Sequence, residues 1–245
     1  MVGTVIAKVA GSALGATYTM PAADGAAGTY LKTDGSTNLS FGAIAAAGFD
    51  RVTYITATDT TWDFQSTTTK AIIEVQASGG TAGSQDSPGY NGGGGGAGAY
   101  ARKTLTGLTG STDKLNITIG AVVGIGATGS TTSVAQAGTA SFTTITCDGG
   151  DGGVTATGTA QAGGAGGAVP TTGDFNIAGG NGCGGQLTTA PGGQSVLGIG
   201  NYKSSSSGAG PTPCGYGSGG TGGGGGGGVA GGAGGPAIVI VWEFK

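Results

Sequence analysis

The side chains that most often do chemistry are scarce in this sequence. Histidine is absent, so catalysis through an imidazole base and the usual zinc ligand sets have no raw material. Carboxylates form one close pair in the glycine-rich part, Asp148 and Asp151. A spacing of three puts both on one face of a helix with three residues per turn, where they read as cation ligands or, the favoured reading, as a solvated edge. Cys147, Cys183 and Cys214 show no CxxC spacing and an odd count. They allow one disulfide, but three free thiols in a chain assembled in a reducing cytoplasm is the plainer reading. Gly215, Gly217 and Gly220 satisfy GxGxxG formally, in a tract too rich in glycine for the match to carry weight and with no strand–turn–helix around it. GxxxxGK[ST] does not occur, and the calcium-binding glycine nonapeptide fails because Val154 and Gly184 stand where Asp is needed after GGDGG and GGNGC. Nothing selects a carboxylate pair for glycoside hydrolysis. The expectation is a protein that is not an enzyme, with no catalytic residue, no metal and no cofactor.

Binding groups are sought among aromatics with polar neighbours on connecting segments. Three clusters qualify: Tyr90 and Asn91 within Ser87-Pro88-Gly89-Tyr90-Asn91, then Asp174, Phe175 and Asn176, then Asn201, Tyr202 and Lys203. Tyr216 is a weaker fourth. The expectation is that Tyr90, Phe175 and Tyr202 line one distal contact surface; the competing reading is that each ring covers the end of a glycine bundle or packs on a neighbouring copy. Trp62 and Trp242 are expected in a β core, and Tyr100, Arg102 and Lys103 on the surface of a strand.

The elements that must position these groups follow from composition. Of 245 residues, 61 are glycine, a quarter of the chain against about 7% in ordinary proteins. Eight of them fall in residues 1–77, 53 in residues 78–236 and none in 237–245. A net charge of -3 with pI 4.6 argues against a nucleic-acid binder carried by a basic field, and 37% hydrophobic content against a solvating tail. No 18-residue apolar run is present for a membrane span, and the N-terminus lacks the basic-then-apolar order of a signal peptide. Alternation and β-branched content predict strands at Val52 to Thr58, Lys70 to Gln76, Tyr100 to Leu108, Leu115 to Ile119, Ala140 to Thr146 and Ala237 to Phe244. No amphipathic helix is evident where Gly and Thr are so frequent.

The glycine blocks read as triplets: DGGDGG at 148–153, GGAGG at 163–167, GGNGCGG at 179–185 and the tract 215–235. A period of three is that of an extended left-handed helix without internal hydrogen bonds, whose amides point sideways. Those amides need partners when buried, and glycine lets neighbouring helices come close enough to supply them. With seven prolines and no sustained Gly-X-Y run, collagen is excluded. A flexible linker is the bland alternative, but a linker has no use for the terminal AIVIVWEF, whose natural sheet partner is KAIIEVQ at 70–76. The class is all-β: a small β-sandwich base closed by the C-terminal strand. A polyglycine-II bundle is inserted into it, with no significant α-helix.

TWDFQ at 61–65, KAIIEVQASGG, GGGGGAGAYARKTLTGL at 92–108, LNITIGA at 115–121, the glycine blocks and a terminal IVIVWEF together resemble the glycine-rich domain of bacteriophage tail-fibre and related virion proteins, over residues 60–245. The chain departs from that family at Asp63, where proline is more frequent. Pro21 to Phe41 (PAADGAAGTYLKTDGSTNLSF) is similar to a segment of phage fibre shafts. The resemblance implies a virion structural protein: a short tail fibre or fibre tip that binds a host-surface polysaccharide or outer-membrane protein through loops of the glycine-rich domain, as a homotrimer. The implied layout is an attachment segment at 1–20 docking onto other virion proteins, or joining the shaft; a trimeric shaft at 21–50; a β-base at 51–148 plus 237–245; and a glycine bundle at 149–236 with 79–98. No nucleic acid and no membrane insertion are expected. A head fibre or capsid decoration is the alternative in the same setting. An ice-binding polyglycine-II protein, with a regular Thr or Ala face, is the alternative of another class.

Overall fold

The computed structural model describes residues 29–33, 39–43, 48–86, 90–122, 124–139, 141–157, 161–185, 190–200, 214–224 and 228–245. The described residues form thirteen strands and no helix of the α type, so the protein is all-β. It divides into two units, Met1–Ala47 and Gly48–Lys245. The first contains the antiparallel hairpin of β1 (Thr29–Thr33) and β2 (Leu39–Ala43), in which Leu31 lies opposite Phe41. The expectation for residues 1–20 lies outside the described residues.

In the second unit two antiparallel sheets face each other. One has the order β10-β6-β5-β13-β3, built from β10 (Phe175–Ile177), β6 (Tyr100–Thr106), β5 (Lys70–Gln76), β13 (Ile238–Phe244) and β3 (Phe49–Ile55). The other has the order β4-β7-β8-β9, from β4 (Asp59–Asp63), β7 (Lys114–Thr118), β8 (Thr132–Ala137) and β9 (Ile145–Cys147). The apolar tail takes a central place: β13 pairs with β5 from Ile238↔Gln76 to Phe244↔Lys70, as its unbroken apolar run required, and with β3 on its other side. Ile73, Val75, Val239 and Val241 meet Leu115, Ile117, Val134 and Ile145 between the sheets, and Trp62 and Phe64 close the layer edge to face. Glu243 is fully buried yet satisfied: it takes the Arg51 guanidinium, the Gln65 amide at 2.7 Å and the Thr68 hydroxyl at 2.8 Å.

The sheets differ from the sequence expectation at particular elements. β3 starts earlier than Val52 and stops at Ile55. β6 ends at Thr106 because Gly107 turns the chain with φ of 70°. β4 and β8 were not expected, since DTTWD and TSVAQA each carry one large apolar residue. The strand expected from Ala140 is reduced to Ile145–Cys147.

From one end of this sandwich rise eight extended segments: g1 (77–86), g2 (90–99), g3 (148–156), g4 (161–168), g5 (178–185), g6 (190–195), g7 (216–224) and g8 (229–236). Their hydrogen bonds repeat every third residue. Within g2, the amides of Gly93, Gly96 and Ala99 donate to g3 at Val154, Asp151 and Asp148. Those of Gly92, Gly95 and Gly98 donate to g7 at Gly223, Gly220 and Gly217, and those of Gly94 and Ala97 to g5 at Cys183 and Gly180. Its carbonyls accept in the same rhythm, from g1, from g4 and, at Gly95, from Gly193 of g6. A β-strand can pair in two directions only, whereas six directions at period three is polyglycine-II geometry. The six neighbours bond to one another around the ring, g1–g3–g4–g5–g6–g7 and back to g1, and g8 lies outside against g1 and g7. Residues 91–99 are all buried. A Cβ on Gly96 would run into the Ala165 carbonyl, and one on Gly93 into that of Ala162, so the close approach excludes any side chain there.

The tract 215–235 is not one helix. It folds back after Gly224, and the returning Gly232 and Gly235 donate to Thr221 and Ser218 of the outgoing segment.

Candidate functional site

The odd-numbered segments run away from the sandwich and the even-numbered ones return, as the antiparallel pairing of g2 with g1, g3, g5 and g7 requires. The far end is therefore marked by the described ends of these segments, and residues 87–89, 158–160, 186–189 and 225–227, which follow or precede them in the chain, lie outside the described residues. The described residues flanking them include Asp86, Tyr90, Thr157 and Gln161. Asp86 is exposed and accepts from the Ser84 hydroxyl, and Tyr90 is half-buried. Asn91 is corrected: it is 5% exposed, with its side-chain amide set against Gly224, so it plugs the bundle instead of offering a binding group.

The single distal surface expected from Tyr90, Phe175 and Tyr202 is not what the structure brings together. Phe175 lies in β10 at the sandwich, beside Tyr100 with ring centroids 6.4 Å apart. Tyr90 and Tyr100 bracket the whole of g2, a rise of about 30 Å at 3.1 Å per residue. Phe175 thus belongs to the opposite end. Its neighbours are structural: Asp174 accepts from the Thr104 amide at 2.7 Å, and Asn176 closes a turn by bonding both the amide and the carbonyl of Gly173. Asn201, Tyr202 and Lys203 lie outside the described residues. Tyr216 is at the sandwich end, where its carbonyl accepts from the Ser195 hydroxyl, close to the short pair β11 (Gly198–Ile199) and β12 (Cys214–Gly215).

The carboxylate pair sits outward on g3. Thr131 donates to Asp148 at 3.4 Å and Thr128 to Asp151 at 3.2 Å, so each carboxylate is held by its own hydroxyl, in the manner of a solvated edge. No group of three metal-ligating side chains occurs among the described residues. Cys147 and Cys183 are free; burial, then the neighbouring Asp148 charge, pushes the Cys147 thiol up to about 12, whereas Cys183 is exposed.

The outer face of the five-stranded sheet carries a feature that the sequence reading missed. Strand register aligns Tyr54, Ile240 and Glu74 in one row, Val52, Trp242 and Ile72 in the next, and Phe49, Phe244 and Lys70 in a third. Phe49, Tyr54 and Phe175 are 56%, 62% and 52% exposed on it. Trp242, expected in the core, faces this side and donates to Glu74 at 3.0 Å, and Tyr100 donates to the other Glu74 oxygen at 2.9 Å. Tyr100, expected on the surface, is 5% exposed; burial and then Glu74 hold its phenol well above its ordinary pKa. The signal was the step of two through Trp242 and Phe244, which puts both opposite Val241 and Glu243.

No known family model matches the chain, and comparison with curated proteins returns no relative.

Proposed function

We propose that this chain is a bacteriophage virion structural protein, a short tail fibre or fibre tip, that binds a surface polysaccharide or outer-membrane protein of the host. The observation that carries the reading is the closed ring of six glycine helices around a seventh. Such a ring leaves no interior for a substrate and gathers the ends of its segments at one end of a scaffold whose rigidity comes from backbone bonds. Binding groups on connections held by a rigid scaffold are the common arrangement for recognition. Tyr90 is the described aromatic at that end and Asp86 its exposed carboxylate. The work is binding without chemistry. Residues 1–20 dock onto other virion proteins, and the chain acts as a homotrimer whose three copies multiply a weak contact through effective concentration.

The aromatic outer face of the five-stranded sheet supports self-association, because contiguous exposed apolar surface of this kind marks interaction sites. Light scattering is expected to give about 68 kDa, three times the 22.7 kDa chain. A monomer would remove the trimer. For the receptor, Tyr90→Ala combined with replacement of residues 186–189 by Gly-Ser-Gly-Ser is expected to abolish host adsorption; equal adsorption by wild type and variant would overturn the distal site.

One observation favours the ice-binding alternative: Ala162, Ala165 and Ala168 stand exposed at a spacing of three on g4. The rows on either side are mixed, Asp148, Asp151 and Val154 on g3 and Ala178, Asn181 and Gly184 on g5, which speaks against a regular ice-matching face. Thermal hysteresis of the purified protein would reinstate it.

A further inference from the structure

At the edge of the sandwich, where β10 stops, a cleft of about 500 Å³ opens between β6 and the connection from β8 to β9. That volume lies within the range of about 300–1,000 Å³ of small-ligand sites. One wall is the chain from Lys103 to Thr109, and the other contains Thr139, Ser141, Phe142 and Thr143. β10 covers only Tyr100 to Arg102 of β6, so among the described residues no strand lies beside Lys103–Thr106 on that side.

The charged groups of the cleft are already neutralised within the protein. The Lys103 ammonium donates to the Thr172 carbonyl at 2.9 Å and lies 3.9 Å from the Asp174 carboxylate. Asp113 is 3% exposed, taking the Thr109 amide at 2.7 Å on one oxygen and the Thr139 hydroxyl on the other. What the walls offer a ligand is hydroxyl groups: Thr106, Thr109, Ser141 and Thr143 are exposed, and each can donate and accept. An anion would find no free cation there. An apolar ligand would find one half-buried ring, Phe142, which is itself packed on the core. A peptide added as a strand would find little ladder, because Asp174 occupies the Thr104 amide and the chain turns at Gly107, leaving the edge too short.

We infer that this cleft is a second binding site of the protein, for a neutral oligosaccharide, separate from the far end of the bundle. Ligand hydroxyls, like the cleft's, are donors and acceptors at once, and the match is between the two sets. The site does not depend on the receptor reading above.

The test is an array of defined oligosaccharides, neutral and anionic and of varied linkage, probed with the full chain beside a peptide array. Wild type is expected to retain neutral members, and Thr106→Val with Ser141→Ala to weaken that retention at least tenfold while thermal unfolding stays unchanged. Tyr90→Ala at the far end is expected to leave it intact. Hydrogen exchange with a retained oligosaccharide is expected to show new protection at 104–109, 139 and 141–143, a readout that needs no variant to fold. Retention of anionic members only, retention of peptides only, no retention at all, or retention that ignores the cleft variants and leaves those amides unprotected would each overturn the proposal.

Discussion

The sandwich and the glycine bundle solve the same problem by opposite means. Both bury backbone and must pair its amides. In the sandwich each strand pairs with at most two neighbours, and the layer is closed by side chains: Ile73, Val241, Leu115 and Ile117 exclude water between the sheets. In the bundle g2 pairs with six neighbours, and from residue 92 to 96 it carries no side chain. Burial there stabilises through hydrogen bonds and close packing of peptide groups, against the larger ordering entropy of glycine. The sandwich can therefore trade one apolar residue for another of similar volume. The bundle interior admits Ala97 and Ala99 but no side chain at Gly93 or Gly96, where a Cβ would meet backbone carbonyls.

The same change, one added methyl group, breaks this comparison most sharply. Gly96→Ala puts a Cβ onto the Ala165 carbonyl, where backbone must give way, and is expected to cost more than about 4 kcal/mol in denaturant unfolding. Next comes Ile73→Ala in the sandwich, expected to cost about 3 kcal/mol through lost burial and a residual cavity. Trp62 and Trp242 both belong to the sandwich sheets, so fluorescence reads that region while amide exchange at 92–98 reads the bundle. Because β5 runs into g1, g2 into β6 and g8 towards β13, the two readouts are expected to move together in the Ile73 variant. Separate transitions would show that the regions are independent.

A smaller effect is set by pH. Below pH 9 both the folded and the unfolded chain keep the Cys147 proton; between 9 and about 12 the unfolded chain releases it while the folded one retains it. Stability is thus complete well below pH 9 and falls as pH rises, by about 1–2 kcal/mol at pH 10. Tyr100 acts in the same sense at still higher pH. Cys147→Ala is expected to flatten the first part of that fall in unfolding titrations between pH 8 and 10.5. The smallest effect is expected from Gly124→Ala, where no atom lies within 4 Å of the new methyl group: within about 0.5 kcal/mol of wild type by the same denaturant assay.

What could be read from the residues follows the same division. β5 and β13 announced themselves and each other, because two apolar runs bracketing a glycine-rich body leave few other partners. The triplets gave the period of the bundle. They could not give its direction, since a run of glycines has no side chain to mark a reversal, and the fold-back between g7 and g8 left no trace in the sequence. β8 was hidden because Val134 is its one large apolar residue. The candidate site suffered most. Asn91, Asp174 and Asn176 are polar residues beside aromatics, which is also the pattern of groups that cap turns and plug helices, and the structure uses them in those roles. Trp242 is expected in the core, whereas strand parity assigns it to the outer face.

The central position of β13 has a consequence in time. Ile238 pairs with Gln76 across roughly 160 residues of intervening chain, and β3 joins the sheet through β13 alone. Closing a loop of that length carries an entropic penalty before any contact rewards it, and folds dominated by such pairings form slowly. During synthesis β5 and β6 can form a hairpin-like pair early, but the five-stranded sheet waits until residue 244 has left the ribosome. The eight glycine segments lie inside that loop, so the step that seats the last strand also ties both ends of the bundle to one sheet.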